Sequence, residues 1–254
     1  MKSKLVKHKN LNNGQEMEIH YPLSDKEFTD QLAEIFDSEH YKEGQIKNGV
    51  YVDIGANIGL TALYFAPYAR KYYAIEPSSE CFEALKLNTQ SLDNIEYFNF
   101  AILPIDEPQN LLRANEDSVP QTFFMRENKF GGEQVKCKKI DQFFKENNIE
   151  HVDVLKIDVE GAEFVIFPDD SFGRVADKID LIIGEAHYSI TGDGIPEMVP
   201  VILKKWGFKT EFVKLKSPNL EYKLWFRYQN GKEEEFVYQC STIFKAWREN
   251  GHKG

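Results

Sequence analysis

The stretch V-Y-V-D-I-G-A-N-I-G-L-T-A-L-Y-F, residues 50–65, decides the fold. Val50 to Ile54 is a short apolar run rich in β-branched and aromatic side chains, the pattern of a buried strand. The side chains then shrink through Gly55-Ala56-Asn57-Ile58-Gly59, and Leu60, Leu63 and Tyr64 resume at helical spacing. Strand, glycine turn and helix in that order predict an open α/β sheet, where ligands bind at the carboxyl ends of the strands. Glycine suits a tight turn with positive φ, or a main chain that a ligand must approach closely. The helix start adds unpaired N–H donors. Asp53 would repel a pyrophosphate at this turn and favour an ammonium or sulfonium group. The turn also lacks the dinucleotide spacing G-x-G-x-x-G. By itself it is also compatible with a plain strand–helix connection that binds nothing.

The next strand, predicted over Lys71 to Ile75, supplies the context because it ends at Glu76-Pro77. An acidic residue about 20 residues beyond a glycine turn, at the tip of the next strand, can accept both hydroxyls of a ribose. Without a ligand, Glu76 would be a solvated carboxylate at a helix start.

A second informative stretch is V-D-V-L-K-I-D-V-E-G-A-E, residues 152–163. Val152, Val154, Leu155 and Ile157 make a buried strand, into which Lys156, Asp158, Glu160 and Glu163 are set. Charges are expensive to bury unless they are paired or solvated. Their concentration at a strand tip points to a site, with a Lys–Asp ion pair and a solvated turn as the plainer reading. The strand Lys178 to Gly184 follows and ends in Glu185-Ala186-His187. His187, at a neighbouring strand tip, is the candidate general base, with Asp158 or Glu160 orienting an acceptor. No metal is assigned; the alternative is a divalent ion held by Asp158, Glu185 and His187.

The remainder of the chain fits this frame. Ser24 and Glu27 form a capping box for a helix over 25–37, after an arm or hairpin in residues 1–20. Ser78 caps a helix over 78–90, and Asn94 to Phe100 is a third strand, with the small Ala101 leaving room for a base or simply packing. Residues 104–135, punctuated by Pro104, Pro108, Pro120, Gly131 and Gly132, predict an inserted antiparallel ribbon with a mobile Gly-Gly loop. Val135 to Ile140 reads as a strand and Asp141 as the cap of a helix to Asn147. A helix over Ile195 to Trp206 ends at Gly207. The tail predicts strands at Phe208–Leu215, Tyr222–Tyr228 and Phe236–Cys240, a hairpin turn at Asn230-Gly231, and a closing helix over Thr242–Asn250.

Composition sets bounds. At 254 residues the chain supports one large domain, or one domain with extensions. A formal charge of −10 argues against a nucleic-acid footprint, which needs lysine and arginine to displace counterions. Lys136, Lys138 and Lys139 read as a solvated strand face. Three scattered cysteines without C-x-x-C spacing, and no secretory leader, predict reduced thiols in the cytoplasm. No apolar run reaches the roughly 18 residues of a membrane span.

The segments VDIGANIGLT (52–61), AIEP (74–77) and LKIDVEGAE (155–163) resemble the FkbM family of S-adenosylmethionine-dependent methyltransferases. The resemblance runs from about Tyr41 to Trp206. It implies a class I methyltransferase fold: a Rossmann-like, seven-stranded mixed α/β sheet with helices on both faces and antiparallel C-terminal strands. It divides the chain into an arm and helix at 1–40 and the cofactor-binding domain at 41–254. Carried over by position, Asp53, Gly55, Ala56, Asn57 and Gly59 hold the methionine end. Glu76 with Pro77 takes the ribose, Asn99, Ala101 and Ile102 flank the adenine, and Asp158 and Glu160 lie beside the methyl group. The implied cofactor is S-adenosyl-L-methionine and the implied reaction is O-methylation. The expected partner is a small-molecule or carbohydrate acceptor, with no nucleic acid or membrane, and a homodimer is allowed. The rivals are an NAD-dependent oxidoreductase, disfavoured by Asp53, and a non-catalytic cofactor-binding module.

Overall fold

The structure is a computed structural model that describes residues 3–9, 14, 16–22, 29–37, 41–113, 120–122, 131–187, 198–212, 223–229, 232–238 and 241–248. The chain opens with an antiparallel hairpin, β1 (Ser3–Lys9) and β2 (Glu16–Pro22). A short helix α1 (Thr29–Leu32) widens into a π turn over Ala33–Asp37. β3 (Gly49–Ile54) passes through the glycine turn to α2 (Leu60–Phe65), then β4 (Ala69–Ile75), α3 (Ser79–Thr89) and β5 (Ile95–Phe98). The insertion carries β6 (Ala101–Ile102), β7 (Gln109–Arg113), β8 (Pro120–Thr122), β9 (Gly132–Val135) and β10 (Cys137–Lys138). α4 (Ile140–Glu146), β11 (Val152–Ile157), α5 (Glu163–Ile166), α6 (Asp170–Gly173) and β12 (Ile179–His187) follow. The chain ends with α7 (Met198–Lys205), β13 (Lys209–Phe212), β14 (Lys223–Gln229), β15 (Lys232–Tyr238) and β16 (Ser241–Trp247).

Seven strands form one mixed sheet in the order β13-β16-β12-β11-β3-β4-β5. From β12 to β5 the neighbours run parallel, and β16 is antiparallel to both β12 and β13. β3 and β11 are buried along their whole length, as strands covered on both faces must be. Val52 and Ile54 point to one core with Phe143, Phe144, Phe167 and Phe172 from α4 to α6. Tyr51, Tyr72 and Ala74 point to the other, with Leu32, Phe36, Phe65, Ala84 and Leu85 from the N-terminal segment, α2 and α3. Ile19 and Tyr21 of β2 join this second core, and Asn88 of α3 clasps β2 by accepting from His20 N at 2.7 Å and donating to His20 O at 3.0 Å. The amino-terminal arm is thus a packed hairpin.

The parallel register sets the site. Asp53 lies opposite Lys156 on one side and Ala74 on the other, and Ile54 lies opposite both Ile157 and Ile75. Asp53, Glu76, Asp158 and the end of β12 therefore emerge at the same edge of the sheet. Among the described residues no helix is long and apolar enough to cross a membrane, and Cys81 and Cys137 are buried free thiols.

Several local expectations are corrected. The closing segment is a strand, β16, where a helix over Thr242–Asn250 is expected. Ile243 packs into one core and Phe244 and Ala246 into the other, the alternation of a strand buried on both faces. Pairing with two neighbours overrides the helix-forming Lys, Ala, Arg and Glu of the segment. α4 starts at Ile140 with Lys139 at the cap position, so Asp141 lies inside the first turn, where it accepts from Arg174 Nε at 2.7 Å. The strand expected over Val135–Ile140 is split between β9 and β10, because β10 leaves the ribbon to pair in parallel with β6. Ser78 occupies the cap of α3, but its hydroxyl makes no capping bond. The insertion is an antiparallel ribbon, β7 between β8 and β9. The capping box Ser24–Glu27, Cys240 and the turn Asn230-Gly231 lie outside the described residues, while β14 and β15 pair antiparallel on either side of that turn.

Candidate active site

Asp53 ends wholly buried beneath the glycine turn. Its Oδ2 accepts from Thr61 Oγ1 at 2.7 Å and from Tyr72 OH at 2.6 Å. Its Oδ1 lies 3.2 Å from Lys156 Nζ and accepts no hydrogen bond. Lys156 donates to Gly55 O at 2.6 Å and sits 3.6 Å from Asp158 Oδ2, so one buried ammonium ties the first motif to the second. Burial pulls the Lys156 pKa down, but Asp53, Asp158 and Glu76 outweigh it, and the net shift is upward. Burial, reinforced by Asp53, likewise raises the Tyr72 phenol well above its usual value.

The glycines answer to the protein more than to a ligand. Gly55 has φ +82° and a Cβ there would lie 1.9 Å from the Asp158 carbonyl oxygen. Gly59 has φ +88° and a Cβ there would meet Leu85 Cδ1 at 2.7 Å. The turn amides are also spent within the fold. Gly55 N and Ala56 N both donate to Ile75 O at 3.0 Å, Asn57 N to Glu76 Oε2 at 2.8 Å, and Gly59 N to Ala56 O at 2.9 Å. These four amides frame the turn. The Asn57 side chain is different: its Oδ1 is buried and accepts no hydrogen bond.

Glu76 stands at the tip of β4, 6% exposed, with Oε2 on Asn57 N and Oε1 on Ser78 N at 2.8 Å. Burial raises its pKa to about 7 against the pull of those two amides. Asn99 braces this tip by donating from Nδ2 to Glu76 O at 2.9 Å and Pro77 O at 3.0 Å. Ala101 and Ile102 are buried in the first core and pair in parallel with Cys137 and Lys138 of β10. The ribbon reaches the same rim, where Glu133 accepts from Ser79 N at 2.9 Å and Ser79 Oγ at 2.6 Å.

The second tip gathers carboxylates around one ring. His187 Nε2 lies 3.8 Å from Asp158 Oδ1, 3.7 Å from Glu160 Oε2 and 3.9 Å from Glu185 Oε1. Its Nδ1 lies 3.2 Å from Oε1 of Glu163, which is wholly buried and also accepts from Val159 N at 3.0 Å. Glu160 holds φ +52° ahead of Gly161 at +98°, a backbone that non-glycine residues adopt at a cost and that is common at functional sites. Burial lowers the His187 pKa, but Glu160, Glu163 and Glu185 overcome it and leave the ring well above its usual value. The surrounding carboxylates favour the charged ring, and only Glu163 Oε1 lies within hydrogen-bonding reach of it. Tyr41 is buried near these carboxylates: burial, followed by Asp158, Glu185 and Asp53, raises its phenol well above normal.

The profile of the methyltransferase FkbM domain matches residues 53–210, which include the glycine turn, Glu76 and the whole carboxylate cluster. The chain belongs to the FkbM methyltransferase family. Methyltransferase sdnD of Sordaria araneosa is 26% identical over 190 residues, covering 58% of this chain and 70% of that protein. Among solved structures, precorrin-6y C5,15-methyltransferase from Geobacter metallireducens GS-15 aligns over 81% of this chain and 85% of its own at 12% identity and a TM-score of 0.45. A complex of DhpI with SAH covers 88% and 89% of the two chains at 11% identity and a TM-score of 0.44. These structural likenesses are remote.

In this FkbM chain the sequence pattern located Asp53, Glu76, Asp158, Glu160 and His187 on one edge, and the structure places all five there. Missed were Thr61, Tyr72, Tyr41 and Glu133. Thr61 and Tyr72 carry a signal in hindsight: a carboxylate at a buried strand tip must find donors on the elements that cover it. Tyr41 and Glu133 carry none, since only the tertiary fold brings them in.

Proposed function

We propose that the protein transfers the methyl group of S-adenosylmethionine to a hydroxyl oxygen of a small molecule or sugar. The observation that carries this reading is Glu76, a carboxylate fixed by two backbone amides beside the glycine turn with lone pairs left for a diol. The chain's own residues fit such a ligand. Asn57 Oδ1, buried and without a donor, suits the ammonium of the methionine end. Asp53 acts on that end through the turn it supports, along with Gly55, Ala56 and Gly59. Pro77 and Asn99 shape the ribose and adenine side, with Ala101 and Ile102 contributing as packing behind it.

S-adenosylmethionine supplies an electrophilic methyl group when bound. The chain must align an acceptor with it, exclude water and take up the hydroxyl proton. Asp158, Glu160 and His187 form the acceptor end of the edge. The proton goes to His187 where the ring is neutral, and to an oxygen of Asp158 or Glu160 where the ring already holds one. Transfer of labelled methyl to a panel of hydroxyl-bearing metabolites and sugars tests this. A methyl ether and S-adenosylhomocysteine are the expected products. Thermal protection by NAD with none by S-adenosylhomocysteine would overturn the reading, and protection by S-adenosylhomocysteine without transfer to any acceptor would leave a binding module.

A further inference from the structure

One side chain joins two neighbouring strand tips. Glu163, the first residue of α5, is 0% exposed, and its Oε1 meets two nitrogens at once. Val159 N, on the turn after β11, donates to it at 3.0 Å. His187 Nδ1, at the end of β12, lies 3.2 Å from the same oxygen. The turn that Glu163 reaches back to carries Asp158 and holds the positive φ of Glu160 and Gly161. The same carboxylate thus sets the turn and the ring that faces it.

The two ring nitrogens differ in what they meet. Nδ1 is within hydrogen-bonding reach of Glu163, whereas Nε2 stands 3.7–3.9 Å from oxygens of Asp158, Glu160 and Glu185, too far for a hydrogen bond. An ionised carboxylate can only accept, so in the neutral ring the proton belongs on Nδ1 and the lone pair on Nε2. Packing alone would favour an uncharged side chain at position 163. A wholly buried carboxylate whose Oε2 accepts no hydrogen bond among the described residues costs folding energy. Pairing with the ring is what the charge of Glu163 accomplishes.

We infer that Glu163 is a positioning residue for methyl transfer: it keeps the neutral His187 ring protonated at Nδ1 and turns Nε2 to the acceptor end as the atom that takes the hydroxyl proton. A carboxylate behind an imidazole fixes its tautomer and stabilises the cation that forms when the other nitrogen is protonated. The acceptor oxygen forms its bond to the methyl carbon as the bond from that carbon to sulfur breaks. The electron pair stays on sulfur, and the hydroxyl proton passes to Nε2. The positive charge thereby moves from the sulfonium to the ring, beside Glu163. The role in transfer rests on the proposed O-methylation, but the pairing of Glu163 with His187 does not.

The test is proton–nitrogen NMR of the isotope-labelled full chain, with the His187 ring assigned by its loss in His187→Gln. Long-range correlations recorded at alkaline pH, where the ring is neutral, read the tautomer, and the wild type should carry the proton on Nδ1. Glu163→Gln keeps an oxygen for Val159 N but not the charge. Its thermal melt should stay cooperative and exchange at Val159 slow, while the affinity of His187 for its second proton falls roughly tenfold or more. A role confined to holding the turn would leave that affinity unchanged. With an acceptor drawn from the hydroxyl panel, Glu163→Gln should lower kcat roughly tenfold or more and leave KM for S-adenosylmethionine within about twofold. A wild-type ring protonated at Nε2, which needs no variant to observe, overturns the pairing, as does an unchanged titration of His187 in Glu163→Gln. Unchanged kcat overturns the role in transfer. If Nδ1 carries the proton and no acceptor is methylated, the pairing stands and the methyl-transfer reading falls.

Discussion

The two strand-tip clusters are built to opposite electrostatic rules. Beneath the glycine turn, Asp53 meets a hydroxyl, a phenol and the Lys156 ammonium, so the charge is matched within the fold. At the β11 and β12 tips, Asp158, Glu160, Glu163 and Glu185 surround a single histidine. The first cluster is finished without a ligand and serves to hold a shape. The second concentrates carboxylates around one ring at a half-buried edge of the sheet.

Removing Lys156 breaks the contrast most severely, because it links both clusters. Lys156→Met strands Asp53 without its counter-charge, and breaking such a buried pair costs roughly 3–5 kcal/mol. Chemical denaturation should show that loss together with loss of S-adenosylhomocysteine binding. A loss under 1 kcal/mol would mean that Asp53 does not depend on the pair.

Glu76 sharpens the comparison through pH. Its folded pKa is raised from 4.5 to about 7. The sign follows from linkage: the group favours the folded state below its unfolded pKa, and that contribution fades as pH rises through about 7. Binding a diol calls for the ionised carboxylate, so affinity for S-adenosylhomocysteine should climb between pH 6 and pH 8, roughly tenfold, while the free protein loses some stability. Glu76→Gln should bind at least tenfold more weakly and show a flat profile. Calorimetry across that range decides it, and a pH-independent wild type would place the ribose elsewhere.

The smallest effect belongs to the rim. Glu133→Ala removes two exposed hydrogen bonds to Ser79 and should cost about 1 kcal/mol or less in global stability. Hydrogen exchange at Ser79 should nevertheless quicken. Unchanged exchange would mean that the ribbon is held to this rim by other contacts.

How much of this was legible depends on range. β3, β4, β11 and β12 are mostly apolar runs that end at glycine, an acid or histidine, so both their existence and their polarity could be read locally. Glu76, Asp158 and His187 follow from that reading because parallel strands bring their tips to one edge. β16 was not legible: residues 241–247 mix strand and helix formers, and only pairing with β12 and β13 decides the matter. The sequence suggested that Gly55 makes room for a ligand, whereas the structure shows it making room for the Asp158 carbonyl, a contact 103 residues away along the chain. The depth of Asp53 and the approach of Tyr41 lie beyond any local pattern for the same reason.

The most direct measurement is a crystal structure of the full chain with S-adenosylhomocysteine. The account predicts both ribose hydroxyls on Glu76, the amino group near Asn57, and the sulfur facing Asp158 and His187. A ribose bound away from Glu76, or a sulfur turned from the carboxylate cluster, would contradict it.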